Sequence, residues 1–192
     1  MGAASIVVRR LFSGLTIVCF GASSIGLRHS ELFVSIGSTS GALGHARSAA
    51  AAIRAGANRT SAPADPQRQA SIDEADAFIS KIIDVQGFST QGERTPKGVD
   101  FATAEQAEDY DPFTIIYEVP RSQMPHIYMD SGTEDGLVQV AREMAQLLML
   151  NNVPFDYMQD HGSHNSEYWR RSIGHMMTIQ NEVMQRALGK RP

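Results

Sequence analysis

The sequence predicts an α/β protein with a mostly parallel sheet flanked by helices, and three observations predict it. After residue 110, short apolar runs alternate with amphipathic stretches in the order strand, helix, strand, polar loop, helix, which is the pattern of parallel strands joined by crossover helices. The polar loops fall after the carboxyl ends of strands, where such sheets carry their functional groups. The chain has 192 residues, of which 42% are hydrophobic and 20% charged. Those values suit one globular domain and exclude collagen-like, coiled-coil and fully disordered chains.

The N-terminal segment supports two readings. Ile6 to Phe12 reads as a strand, followed by a turn and a helix. The same region also has the layout of an export signal, with Arg9 and Arg10 as the positive region, Leu11 to Phe20 as a short apolar core and Gly21 to Ser24 as small residues. On the first reading the chain is cytoplasmic; on the second, residues 1–24 direct export. Cys19 is the single cysteine, so no internal disulfide can form and the compartment stays open.

Glu31 to Ser38 contains Leu-Phe-Val-Ser-Ile-Gly, a short apolar run that predicts a buried strand, and Ser38 to Gly41 is a small-residue loop. Residues 46–57 are Ala-rich and predict a helix. Asn58 to Gln69, with Pro63 and Pro66, predicts a loop. Asp73 to Val85 has Ala77, Phe78, Ile82 and Ile83 as apolar positions of a helix or a helix running into a strand. Gly87 to Gly98 is polar and punctuated by Gly and Pro. Thr103 and Gln106 form a capping box that starts a short helix. Residues 46–110 together read as an insertion or cap-like segment.

In the last third, His126 to Asp130 follows Pro125 and predicts a buried strand. Leu137, Val140, Ala141, Met144, Leu147 and Leu148 recur at helical spacing within Gly136 to Asn151. Val153 to Met158 is a second strand and Asp160 to Ser166 a polar loop. Tyr168 to Leu188 is a helix with Trp169, Ile173, Met176, Met177, Ile179, Val183 and Met184 as its apolar positions, ended by Gly189.

The formal net charge of −4 supplies no global attraction for nucleic acid. No apolar run reaches the roughly 18 residues of a membrane span. The chemistry therefore concentrates on the loops Ser131 to Gly136, with Glu134 and Asp135, and Asp160 to Ser166, with His161 and His164. A carboxylate on one strand-end loop and a histidine on the next is the acid–base half of a Ser-His-Asp triad: the acid sets the imidazole tautomer and stabilises the imidazolium, and the imidazole takes the nucleophile's proton. Residue type alone also admits Asp130 as the acid, His161 as the base, or a metal site from Asp160, His161, His164 and Glu167.

A set of motifs narrows this choice. Gly132-Thr-Glu-Asp-Gly136, Asn151-Asn-Val-Pro-Phe-Asp-Tyr157, Gly162-Ser-His164 and Tyr168-Trp-Arg170 occur in that order, preceded by Leu27-Arg-His-Ser-Glu-Leu-Phe33 and Gly37-Ser-Thr-Ser-Gly-Ala-Leu43. Together they resemble the esterase family of α/β-hydrolases that includes S-formylglutathione hydrolases, tributyrin esterase, enterochelin esterases and mycolyltransferases. The resemblance covers roughly residues 20–45 and 111–188. The stretch Gly87 to Gly98 also resembles an insertion found in a subset of these esterases. It implies a partial α/β-hydrolase fold in a single incomplete domain spanning 1–192, with 1–19 as elbow strand or signal-like segment and 111–189 as the C-terminal core. It implies Asp135 as the acid, His164 as the base, a small-molecule ester or thioester as substrate, and no cofactor or metal.

At the nucleophile the chain departs from the family pattern. The family's G-x-S-x-G-G falls on Gly14-Leu15-Thr16-Ile17-Val18-Cys19, so Thr16 stands where the nucleophilic serine is expected and Ile17 would supply a backbone N–H to the oxyanion hole. A β-branched residue is poorly suited to the strained elbow, and Val18 replaces a glycine that allows close packing. Cys19 falls past the elbow on the predicted helix, and reads either as a nucleophilic thiol or as a small buried apolar residue. Strands that precede the nucleophile in α/β-hydrolases have no counterpart before Thr16, which predicts missing first strands, an exposed sheet edge and self-association through it. Two functions follow as expectations: an ester hydrolase using Thr16, or a remnant that binds without turnover.

Overall fold

The structure is a computed structural model and describes residues 10–15, 17–56, 101 and 103–190. At its centre is a four-stranded parallel sheet in the order β1-β2-β3-β4. The strands are β1 (Arg10–Leu15), β2 (Phe33–Thr39), β3 (His126–Gly132) and β4 (Phe155–Asp160). The helices are α1 (Ile17–Arg28), α2 (His45–Arg54), α3 (Ala104–Asp109), α4 (Pro112–Ile115), α5 (Val138–Leu150) and α6 (Ser166–Ala187).

Adjacent residues of β2 show why the sheet is covered on both faces. Ile36 points into a core with Leu27 of α1, Met129 of β3, and Met144 and Leu148 of α5. Its neighbour Gly37 turns to the opposite face, where a Cβ would lie 2.7 Å from Met176 Sδ and 2.8 Å from Gln180 Nε2 of α6. Parallel neighbours need crossover connections: α1 joins β1 to β2 and α5 joins β3 to β4 on one face, while α6 returns across the other. Each fully buried Ile, Leu or Met of this core contributes roughly 1.5–3 kcal/mol by leaving water.

The element boundaries follow local chemistry. Thr103 caps α3 by accepting a hydrogen bond from the Gln106 amide at 3.1 Å, a contact worth about 1 kcal/mol. Asp111 caps α4, accepting from the Phe113 amide at 3.2 Å, with Pro112 at the first helical position. That short helix was not legible as an element in the sequence. Ala49 and Ala50 of α2 pack against Ala104 and Ala107 of α3.

Two expectations are corrected. The first strand runs past its expected end at Phe12 to Leu15, which pairs opposite Thr39; the expected start, residues 6–9, lies outside the described residues. The buried stripe of α6 is Tyr168, Ser172, Met176 and Gln180, while Ile173 and Met177 are exposed. The helix meets the sheet at Gly37 and at the polar groups of β2 and β3, so hydrogen-bonding side chains take the inner positions. The segments Asn58 to Gln69, Asp73 to Val85 and Gly87 to Gly98 lie outside the described residues.

β1 is an edge strand, paired only with β2 among the described residues. Beside it lies an open trough of about 500 Å³ lined by Leu11, Leu15, Ile173, Met177 and neighbours. Among the described residues, no helix is long and apolar enough to cross a membrane.

Candidate active site

The carboxyl ends of β3 and β4 are level, with Gly132 opposite Asp160, so the loops that follow emerge side by side. Pairing continues past the strands: the Thr133 amide donates to Asp160 O at 2.9 Å and the Glu134 amide to Gly162 O at 3.0 Å. The approach is close enough to require glycine. A Cβ on Gly132 would lie 2.0 Å from Gly162 O, and Gly162 itself has φ +145° with the Tyr168 ring 2.7 Å from where its Cβ would be.

This arrangement brings Asp135 and His164 together. His164 Nδ1 lies 2.9 Å from Asp135 Oδ2, and the Leu137 amide donates to Oδ1 at 2.8 Å. The carboxylate is fully buried while the imidazole is 35% exposed, so one partner is sheltered and the other reachable. Burial pushes the Asp135 pKa up, but the hydrogen bonds from His164 and from the Leu137 amide outweigh it and hold the carboxyl below its ordinary value. An ionised Asp135 requires Nδ1 to carry the proton, which frees Nε2 to act as a base. The edge of Trp169 sits against the imidazole, with ring centroids 5.2 Å apart.

A second buried carboxylate supports the site from below. Asp130 accepts from Thr39 Oγ1 at 2.9 Å and from the Tyr168 hydroxyl at 3.0 Å. Burial raises its pKa, with those hydrogen bonds working against the shift. Asp130 was the alternative acid; its partners are Thr39 and Tyr168 rather than a histidine. Through Tyr168 it anchors the first turn of α6, which Asn165 caps by accepting from the Tyr168 amide at 3.0 Å. The loop carrying His164 is thus tied to β3 at both ends. Ser40, at the end of β2, has the left-handed φ of 50° rare in a non-glycine residue. Its amide donates to Asp130 O at 2.9 Å, which ties the loop after β2 to β3.

The other candidates separate. His161 is 87% exposed and pairs with Glu134, Nδ1 to Oε1 at 2.8 Å. Asp160 accepts from the His161 amide at 2.8 Å, and Glu167 lies 3.9 Å from Arg171. Those residues do not converge, and among the described residues no group of three or more His, Cys, Asp or Glu could hold a metal ion. Cys19 is buried, its Sγ within hydrogen-bond reach of two carbonyls, Gly14 O at 2.8 Å and Thr39 O at 3.2 Å, between which its one proton chooses. Burial pushes its pKa up to about 12, so it is a structural thiol and not a nucleophile. Thr16 lies outside the described residues; Ile17 is the first residue of α1. Gly14 lets that helix start directly over the strand, since a Cβ there would lie 2.6 Å from the Val18 carbonyl carbon. Glu134 was named in the sequence as a carboxylate of its loop, but its bonds to Gly162 and His161 were not foreseen. The Gly132-Thr-Glu-Asp-Gly136 motif contained it, but nothing in the spacing showed its contacts across the two loops.

No protein-family profile matches the chain, and no curated protein matches it by sequence. Solved structures do match. A ferulic acid esterase superposes with TM-score 0.58 at 18% identity, over 93% of this chain and 54% of that one. An S-formylglutathione hydrolase from Staphylococcus aureus matches with TM-score 0.52 at 16% identity, over 88% of this chain and 50% of that one. Esterase B from Lactobacillus rhamnosis matches with TM-score 0.53 at 10% identity, over 96% and 57%. The chain spans about half the length of these proteins. The likeness is one of fold: the parallel sheet and its flanking helices form part of an α/β-hydrolase fold.

Proposed function

We propose that this chain is an ester-hydrolase scaffold in which Asp135 and His164 form the acid–base pair and Thr16 occupies the nucleophile position. The observation that carries the reading is the 2.9 Å contact between a fully buried Asp135 carboxylate and a part-exposed His164. The fold neighbours named as two esterases and an S-formylglutathione hydrolase support the same chemistry.

In this reading the Thr16 hydroxyl oxygen attacks the ester carbonyl carbon while His164 Nε2 takes the hydroxyl proton. The tetrahedral intermediate collapses, the C–O bond to the alcohol breaks, and His164 returns the proton to the leaving alkoxide. Water then attacks the acyl-threonine ester, again giving its proton to His164, which passes it to the Thr16 oxygen. Asp135 stays ionised throughout. The Ile17 N–H at the start of α1 contributes to stabilising the oxyanion, a role whose loss typically costs about a hundredfold in turnover.

A second reading is binding without turnover. It is favoured by α1, where Val18 and Cys19 stand in place of the two glycines of the family motif and Cys19 is packed into the sheet. The experiment that separates the two is hydrolysis of p-nitrophenyl acetate by the protein, by His164→Ala and by Thr16→Ala. Loss of rate in both variants supports the ester-hydrolase reading with Thr16 as nucleophile. Equal background rates in all three overturn it in favour of a scaffold that binds without turnover.

A further inference from the structure

Between the two loops of the site lies a carboxylate that the acid–base chemistry does not use. Glu134 Oε2 accepts a hydrogen bond from the Gly162 amide at 2.5 Å. Oε1 accepts from the Thr133 hydroxyl at 2.8 Å and faces His161 Nδ1 at 2.8 Å. The backbone of the same residue donates to Gly162 O at 3.0 Å. Glu134 therefore grips Gly162 through both its amide and its carbonyl. It immediately precedes Asp135 in the chain, and Gly162 is two residues before His164.

We propose that Glu134 is a positioning residue for the Asp135–His164 pair: its carboxylate clamps the turn at Gly162 and so sets the distance from the His164 ring to Asp135. The inference deepens the ester-hydrolase reading and rests on it for its functional meaning. Its geometric content stands apart from turnover. Backbone pairing runs past the end of β4 only as far as Gly162 O, and the loop beyond it has no further strand to hold it. The charge-assisted bond from the Gly162 amide to the Glu134 carboxylate adds a second tie at that last paired residue. The Glu134 carboxyl is itself held below its ordinary pKa, first by the Thr133 hydroxyl and then by the Gly162 amide, so at neutral pH it is an ionised acceptor. His161, the other partner, is exposed and contributes to Glu134 rather than to the site.

The test reads the His164 tautomer by nitrogen-15 chemical shifts, above the pH at which the ring protonates. In the wild-type protein Asp135 holds the proton on Nδ1, against the Nε2–H form that free histidine side chains favour. Glu134→Ala is expected to move His164 toward the Nε2–H form. Glu134→Gln keeps one oxygen for the Gly162 amide and is expected to retain the Nδ1–H form. His161→Ala is expected to leave it unchanged. The proposal is overturned if Glu134→Ala keeps the wild-type tautomer, if Glu134→Gln shifts it as far as alanine does, which would assign the effect to charge, or if His161→Ala reproduces the shift. Wild-type protein without the Nδ1–H form would also overturn it. Circular dichroism confirms that each variant is folded. Because no step depends on ester turnover, failure of the ester-hydrolase reading leaves this result interpretable.

Discussion

His126 and Asp156 stand side by side at the amino ends of β3 and β4, Nε2 to Oδ2 at 2.9 Å, at the opposite end of the sheet from Asp135 and His164. His126 Nδ1 faces the Ser35 hydroxyl at 3.5 Å, Ser35 Oγ accepts from Gln180 Nε2 at 3.4 Å, and Gln180 Oε1 accepts from Ser13 Oγ at 2.7 Å. With His126 neutral and protonated on Nε2, every donor in this line points the same way, from Ser13 on β1 to Asp156 on β4. The line includes a serine, a histidine and an aspartate, yet Ser35 is completely buried, so it ties the sheet together and has no access to a substrate.

That line predicts a pH dependence of stability. Burial lowers the His126 pKa, with the Asp156 carboxylate acting in the opposite direction and Arg186 adding to the lowering. The folded state therefore binds fewer protons than the unfolded state between the lowered value and the ordinary 6.5. Stability falls as pH drops through that window and is level above it. Urea midpoints measured between about pH 7.5 and 5 should decline for the wild type more steeply than for His126→Gln. Parallel declines would show that His126 does not carry the dependence.

The contact between the two loops predicts a large effect from one methyl group. Gly132→Ala places a Cβ 2.0 Å from Gly162 O, a backbone atom that cannot swing aside. Overpacking of this kind costs about 2 kcal/mol, and relief by separating the loops would move His164 from Asp135. Gly174→Ala, on α6 with nothing within 4 Å of the new atom, should instead stabilise by up to about 1 kcal/mol through helix propensity. Denaturant titration of both variants checks the contrast; equal effects would refute the close-approach argument.

Cys19 should be inert in the folded protein. A thiol raised from 9.0 to about 12 holds about a thousandfold less thiolate at pH 8 than an ordinary one, and it is also buried. Reaction with a disulfide reagent such as DTNB should be at least that much slower in buffer than in denaturing urea. Rapid native labelling would mean that α1 opens away from the end of β1.

Much of the site was legible along the chain. An acid before a histidine on consecutive strand-end loops is a linear pattern, and the strands and helices that carry it show in apolar periodicity. The face of α6 was not legible. Periodicity selects the apolar residues Ile173 and Met177, whereas the inward line Tyr168, Ser172, Met176 and Gln180 is chosen by its targets: the open space above Gly37, the Asp130 carboxylate and the Ser35 hydroxyl. Those targets belong to strands far away in sequence. The contacts of Glu134 were hidden for the same reason, since its partner Gly162 is brought close only by the level ends of β3 and β4.

The sequence by itself determined the α/β class, the order of the chemical groups, and the identity of the residue at each position, including threonine at 16 where the related motif has serine. Tertiary structure alone decided which aspartate meets which histidine. Asp130 is still within β3, where side-chain alternation turns it onto the α6 face and into the hydrogen bonds of Thr39 and Tyr168. Asp135 lies beyond the turn after the strand, beside the loop from β4, and there it meets His164 while His161 turns to Glu134. Residue type and spacing are the same kind of information for both pairs. Which pair forms depends on strand alternation and on how far each loop runs past the end of the sheet, and those are set by packing in three dimensions.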